Sequence, residues 1–184
     1  QKFANYKLLL AYMTAHPGKM LTFMGTELAP WNEWNEARGL EWHLLRWFPH
    51  RSAAEFTRTL NHTYRKHPAF WQKDHEEAGF QWIDADNGNQ SIISFCRYGT
   101  GDTPGLMMIF NFTPNKYIGF EQGVPTAGDY HLLLNTDDPV FDGSGHLKET
   151  TFSAREQKKH GQNHAIAIDL PPLAAVFLTN PAKQ

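Results

Sequence analysis

The apolar run Met20–Met24 constrains the fold of this chain more than any other stretch. It follows the turn sequence His16-Pro17-Gly18 and consists of large apolar residues with one threonine. A short run without polar alternation is typical of a strand in a parallel sheet that is covered on both faces. Gly25 ends the run, and a loop rich in tryptophan and glutamate follows. We therefore predict a buried strand that leads into a ligand-sized surface loop.

The segments on either side of this strand have helical patterns. Over Lys2–Ala15, apolar residues recur at spacings of three and four, which predicts a helix. Ser52 and Glu55 match a capping box at the start of a second helix, which Pro68 ends. A single parallel strand needs neighbours at both edges and cover on both faces. We therefore interpret residues 1–75 as the tail of a larger α/β domain.

After residue 75 the pattern changes to short strands separated by glycine, asparagine, aspartate and proline. Such a series, with clean alternation near the C-terminus, predicts an antiparallel sandwich over residues 76–184. The predicted strands are Phe80–Asp84, Ser91–Arg97, Leu106–Phe112, Tyr130–Asn135, His164–Leu170 and Ala174–Thr179.

Charge and cysteine content limit the classes of partner. The chain has 17 Lys and Arg against 19 Asp and Glu, a formal net charge of −2, and no basic cluster, so we expect no nucleic-acid partner. No apolar run approaches the roughly 20 residues that cross a bilayer, and no signal peptide is apparent, so we expect no membrane partner. Cys96 is the only cysteine, which excludes an internal disulfide and suits a reducing, cytoplasmic location.

The loop after Gly25 carries side chains that suit a sugar, because indole rings stack on pyranose faces and charged planar groups bind hydroxyls. Glu27 follows the predicted strand at the position where barrel enzymes place their active sites. Two interpretations of Glu27 stay open: it binds a hydroxyl or supports a catalytic carboxylate, or it is a structural carboxylate held by a salt bridge to Arg38 or by a loop amide. We expect Trp31 or Trp34 to be an exposed stacking platform. We also expect at least one of the loop tryptophans, which include Trp42, to be a buried anchor.

The ten histidines do not form a recognisable metal pattern. His62, His67 and Asp74-His75-Glu76 have side chains of the ligand type, but neither His-Glu-x-x-His nor His-x-His occurs. Glycine-rich phosphate loops and dinucleotide fingerprints are also missing from the sequence. We therefore expect no metal and no cofactor. His16 and His43 flank the loop and remain candidates for sugar contacts.

Motifs along the whole chain resemble the C-terminal part of bacterial 1,4-α-glucan (glycogen) branching enzymes, which belong to the α-amylase superfamily. The resemblance implies that residues 1–75 are the last helix-strand-helix portion of a (β/α)8 catalytic barrel and that residues 76–184 are the C-terminal β-sandwich domain. In order, the motifs are Gln1-Lys2-Phe3-Ala4-Asn5, His16-Pro17-Gly18-Lys19, Phe23-Met24-Gly25-Thr26-Glu27, Glu33-Trp34-Asn35, Leu40-Glu41-Trp42-His43-Leu44-Leu45, Asn61-His62-Thr63-Tyr64-Arg65, Asn111-Phe112-Thr113-Pro114, Leu134-Asn135-Thr136-Asp137 and Leu170-Pro171-Pro172-Leu173-Ala174.

The resemblance also implies a reaction. Branching enzymes cut an α-1,4-linked glucan, hold the segment as a covalent glycosyl-enzyme, and transfer it to a 6-hydroxyl to form an α-1,6 branch. Their catalytic carboxylates lie at the ends of earlier barrel strands. We therefore assign no catalytic residue here and expect the chain alone to be inactive.

By the same resemblance, Glu27, Trp31, Trp34 and Asn35 line or support the glucan site. The implied partners are an α-glucan and the remainder of the catalytic barrel. Pro30-Trp31 departs from the family pattern at this point of the loop. Two alternatives stay open at this stage. In the first alternative, the chain is a non-catalytic glucan-binding or scaffold module. In the second, it is a fragment of a related α-amylase-type hydrolase or debranching enzyme.

Overall fold

The computed structural model describes residues 1–181, which form two α-helices and nine strands joined by loops and short 3-10 helices. The helices are α1 (Lys2–Ala15) and α2 (Phe48–Lys66). The strands are β1 (Phe80–Asp84), β2 (Ile92–Arg97), β3 (Gly105–Asn111), β4 (Tyr117–Val124), β5 (Asp129–Asn135), β6 (Thr151–Ser153), β7 (Arg155–Lys159), β8 (Gln162–Leu170) and β9 (Ala174–Asn180).

The nine strands form two antiparallel sheets. The larger sheet has the order β1-β2-β3-β9-β5-β6, and the smaller has the order β4-β8-β7. Their facing sides enclose an apolar cluster that includes Ile109, Val176 and Ile166. The predicted antiparallel sandwich is therefore confirmed, and each of the six predicted strands is present with ends shifted by no more than two residues.

The central strands of the larger sheet, β2, β3 and β9, are buried on both faces because the helices cover the side that the smaller sheet leaves open. Along β3, Met107 and Ile109 point toward the smaller sheet, whereas Met108 and Phe110 pack with the helices. Successive side chains of a strand point to opposite faces, so this alternation follows from strand geometry. The uninterrupted apolar run of β3 thus reflects a sheet covered on both sides.

Both helices contribute their apolar faces to one core with the larger sheet. Leu8 and Ala11 of α1 and Phe56 and Leu60 of α2 belong to the same buried cluster as Phe177 of β9. The helix predicted over Lys2–Ala15 is confirmed. The fold is therefore three layers deep: helices, a six-stranded sheet and a three-stranded sheet.

Arg97 ties the helical layer to the sheet through a buried ion pair. Its side chain, which is 1% exposed, donates to the carbonyl oxygens of Ala15 (2.8 Å) and Phe70 (2.6 Å) and to Asp74 Oδ1 (2.7 Å). The same Asp74 oxygen accepts from the Gly18 amide at 3.1 Å. Asp74 is a possible metal ligand by its side-chain type, and its carboxylate instead pairs with Arg97 of β2.

The strand predicted over Met20–Met24 is wrong for this chain. The segment lies outside every strand of the described residues, and Leu21 and Phe23 are 82% and 61% exposed. A parallel strand forms only against neighbouring strands, and all strands of the described part belong to the two antiparallel sheets. The apolar run therefore remains on the surface.

The predicted start of the second helix is also wrong. Ser52 is buried inside α2, which begins at Phe48 with Pro49 in its first turn. Proline is favoured there because its missing N–H needs no intrahelical partner. The end of the helix at Lys66, just before Pro68, agrees with the sequence.

Candidate functional site

The loop between Gly25 and Trp47 is fixed at two points and exposed between them. Gly25 adopts a left-handed backbone with φ of 82°, and a Cβ there would lie 3.1 Å from Leu40 Cδ2, so glycine suits the turn. Leu28 and Leu44 are buried. In addition, the Nδ1–H of His50 donates to the Leu28 carbonyl at 2.9 Å. Two apolar anchors therefore hold the loop against α2.

One cavity of the loop contains two of the four candidate residues. Trp34 and Asn35 line it together with the charged side chains of Glu33, Arg38 and Glu41, and its volume is about 60 Å3. The carboxylate, amide and guanidinium groups can bind sugar hydroxyls, and the indole offers an apolar face. We call this cavity the Trp34 pocket.

Internal hydrogen bonds shape the Trp34 pocket. Asn35 Oδ1 accepts from the Ala37 amide at 2.8 Å, which closes a local turn. Asn32 Nδ2 donates to Glu41 Oε1 at 2.7 Å, whereas Glu41 Oε2 is a buried oxygen without a partner among the described residues. These hydrogen bonds therefore fix the positions of Asn35 and Glu41 in the lining of the pocket.

Trp31 lies in a different cavity, between the loop and the N-terminal end of α1. The cavity has a volume of about 220 Å3 and is lined by Lys2, Phe3 and Tyr6 of the helix and by Thr26, Ala29, Pro30 and Trp31 of the loop. Burial raises the pKa of Tyr6 to about 12, so its hydroxyl stays protonated and donates to the Thr26 carbonyl. We call this cavity the Trp31 pocket.

Glu27 lies in neither pocket. It is half-buried and lines a groove on α2 together with Arg58 and Arg65, whereas Arg38 lines the Trp34 pocket. The structure thus brings Trp34 and Asn35 together and places Trp31 and Glu27 at separate positions around the same loop.

All three loop tryptophans are exposed. Trp31 is 59% exposed, Trp34 44% and Trp42 60%. The expectation that one of them is a buried anchor is wrong because Leu28 and Leu44 fill that role. The expectation that Trp31 or Trp34 is exposed is confirmed.

Sequence reasoning missed the contribution of α1 to the loop. Phe3 and Tyr6 fit the apolar stripe of a helix, and only the fold brings their rings to Trp31 and Thr26. The histidines remain scattered: His43 is exposed, and His16 packs against Phe80 and Trp82 at the other end of α1.

Residues 1–181 hold neither a metal-type cluster nor a membrane-spanning helix. No group of three or more histidine, cysteine, aspartate or glutamate side chains in this range could hold a metal ion. Likewise, none of the helices within it has the length and hydropathy needed to cross a bilayer.

Curated proteins similar to this chain share one name. The 1,4-alpha-glucan branching enzyme GlgB of Shewanella frigidimarina is 40% identical over 94% of this chain, that of Oceanobacillus iheyensis is 41% identical over 95%, and that of Pseudomonas aeruginosa is 40% identical over 97%. The chain spans 23%, 27% and 24% of these relatives, about a quarter of their length. The resemblance found in the motifs is therefore confirmed across nearly the whole chain.

Solved structures share the fold at low sequence identity. The debranching enzyme of Nostoc punctiforme superposes with a TM-score of 0.61 at 16% identity, covering 96% of this chain and 31% of that one. A protein from Thermus thermophilus gives a TM-score of 0.64 at 18% identity with the same coverage. The family described as "Alpha amylase, C-terminal all-beta domain" matches residues 82–180, more than half of the chain. The chain therefore belongs to the family of α-amylase C-terminal all-β domains.

Proposed function

We propose that this chain is the C-terminal part of a glycogen branching enzyme that acts in the cytoplasm. The enzyme would cut an α-1,4-glucan and transfer the segment to a 6-hydroxyl, making an α-1,6 branch. The observation that carries this proposal is the identity of about 40% to three curated branching enzymes over at least 94% of the chain. The relatives are about four times longer, so the whole reaction belongs to a longer protein.

The exposed apolar segment supports the placement of residues 1–75 in a catalytic barrel. Met20, Leu21, Phe23 and Met24 lie on the surface between two helices that pack on the sandwich. Exposed large apolar side chains that are contiguous mark a surface intended for another part of a protein. In a longer protein, neighbouring parallel strands would cover these side chains and satisfy the backbone between α1 and α2.

The loop would then lie at the catalytic face. In a (β/α)8 barrel, the loops that follow the strands and the N-terminal ends of the helices lie at the same face, where active sites are built. Phe3, at the start of α1, contacts Trp31 of the loop, with ring centroids 5.7 Å apart. This contact supports a loop at the mouth of the barrel, where Trp34 and Asn35 would bind the glucan and Glu27, beside α2, would support the site.

The chain contributes binding but not bond cleavage in this account. Retaining glycoside chemistry needs a carboxylate nucleophile and a carboxylic acid about 5–5.5 Å apart on either side of the bond. Two carboxylates of the loop do not have this arrangement, because Glu27 lies beside α2 and Glu41 accepts a hydrogen bond from Asn32. The catalytic pair would therefore come from the remainder of the barrel.

A branching assay tests the proposal. Amylose is incubated with the 184-residue chain or with the longer protein that contains it, and new α-1,6 linkages are counted by proton NMR. We expect none with the chain and branches with the longer protein. In the longer protein, Trp34→Ala should raise KM about tenfold with a smaller effect on kcat, because the stacking contact between the indole and the glucan is lost from both the ground state and the transition state.

The matched control is Trp71→Ala, which removes an equally exposed indole outside both pockets. It should leave KM unchanged. Branching by the isolated chain would refute the division of labour, and an equal change in both variants would refute the role of Trp34.

A further inference from the structure

The indole of Trp31 is exposed but held in one position. Its ring centroid lies 5.7 Å from that of Phe3 and 5.3 Å from that of His50, and the rings are nearly perpendicular, at 82° and 81°. Phe3 and His50 are themselves 5.0 Å apart at 89°. His50 is buried and hydrogen-bonded to Leu28. Two helices thus fix an aromatic surface that solvent reaches, which lowers the entropy cost of stacking a ligand on it.

The surroundings of this indole combine apolar and cationic groups. Lys2 Nζ lies 5.3 Å from the centroid of the Trp31 ring, a cation–π distance, and carries three donors on a flexible stem. The Trp31 pocket, with its volume of about 220 Å3, opens beside this pair and is also lined by Phe3 and Tyr6. A flat apolar face next to a mobile hydrogen-bond donor suits a pyranose ring, which has an apolar face and a rim of hydroxyls.

The Trp31 pocket is separate from the Trp34 pocket. The two share Pro30 and no other lining residue, so this proline lies between them. Trp34 packs against Phe23, with ring centroids 5.3 Å apart, whereas Trp31 packs against α1 and His50. The two tryptophans therefore do not form one continuous platform.

We propose that the Trp31 pocket is a second sugar subsite, which takes one glucose unit of an α-glucan by stacking on Trp31 and hydrogen bonding to Lys2. This inference rests on the proposed function, because it takes an α-glucan as the ligand. It adds Lys2, Phe3 and Tyr6 of α1 to the binding surface. Branching brings a donor chain and an acceptor chain together. Two subsites, one on each side of Pro30, would allow the loop to bind a segment of each chain.

The indole N–H signals of a 15N-labelled 184-residue chain test this inference, because the two pockets each contain one tryptophan. The probe is maltotriose, and each indole signal is assigned with a Trp→Phe variant. We expect the Trp31 and Trp34 signals to shift with separate saturation curves. The Trp31 shift should persist in Trp34→Ala, and Lys2→Gln should weaken binding at Trp31 while leaving the Trp34 curve unchanged.

The Trp71 signal is the control. Trp71 follows Phe70, and Arg97 donates to the carbonyl oxygens of both Phe70 and Ala15. Trp71 therefore lies near the C-terminal end of α1, whereas Lys2 is at its N-terminal end. At 1.5 Å per residue, the two ends of the helix are about 20 Å apart. The Trp71 signal should not move. Movement of Trp34 without Trp31, or loss of the Trp31 response in Trp34→Ala, would overturn the second subsite and leave the proposed function standing. If neither signal moves, glucan binding by the loop fails as well.

Discussion

The substitution Arg97→Met tests whether a buried ion pair joins the helical layer to the sheet. Arg97 makes three hydrogen bonds of 2.6–2.8 Å, to two backbone carbonyls and to Asp74. Methionine keeps an unbranched apolar side chain but has no donor, so both carbonyls lose this partner and the Asp74 carboxylate keeps only the Gly18 amide. The Asp74 side chain is only 10% exposed, which limits its hydration. Removing one member of a buried pair costs about 3–5 kcal/mol, and we expect a loss of unfolding free energy in that range.

Urea unfolding, followed by far-ultraviolet circular dichroism, measures this loss. The matched control is Arg155→Met, because Arg155 pairs with Glu121 at the surface and its side chain is 53% exposed. Exposed pairs contribute about 0–1 kcal/mol, so this variant should change little. A cost below about 1 kcal/mol for Arg97→Met, equal to that of the control, would refute the reasoning.

Three further predictions concern the core and titratable groups. Phe110→Ala should lower the unfolding free energy in urea by about 3–5 kcal/mol, because the fully buried ring packs between the helices and the sheet; a cost below about 1 kcal/mol would contradict this. Burial raises the pKa of the Cys96 thiol to about 12, so iodoacetamide at pH 8 should label it only as the protein unfolds, and rapid labelling of the native chain would count against it. Burial also lowers the pKa of His160 below 6.5, although the charge of Asp84 partly opposes this shift. As pH drops through 6.5, the unfolded state therefore binds a proton before the folded state does, and Tm should fall. In His160→Gln this pH dependence should weaken, and an unchanged dependence would argue against the assignment.

The regular parts of the fold were predictable because local patterns decide them. The spacing of apolar residues in α1 and the alternation in β8 are signals within a dozen residues. The missed strands lack such signals. β4 contains a register shift around Gly119, which adopts a positive φ, and β7 is an edge strand that consists only of polar residues.

Long-range contacts explain the errors. Met20–Met24 has the composition of a buried strand, but a strand depends on partners that its own sequence does not specify. The apparent capping box at Ser52 does not start the helix, because α2 begins one turn earlier at Phe48, with Pro49 in its first turn. Both cases show local patterns overridden by the surroundings of the segment.

The candidate site was predictable as a loop but not as two pockets. The many tryptophans and glutamates that follow Gly25 indicated the position of the candidate site in the sequence. The separation of Trp31 from Trp34 depends on where α1 places Phe3 and on Pro30, which lines both pockets. The packing of α1 determines these positions, so they could not be predicted from the sequence of the loop alone.

Amide hydrogen exchange at Met20–Met24 tests the central claim most directly, because that claim makes this segment a barrel strand completed by the rest of a longer protein. The segment is exposed and outside every described strand in this chain, so its amides should exchange rapidly there. In the longer protein we expect protection greater by at least about a hundredfold, as for a strand in a sheet core. Equally rapid exchange in both proteins would contradict the account.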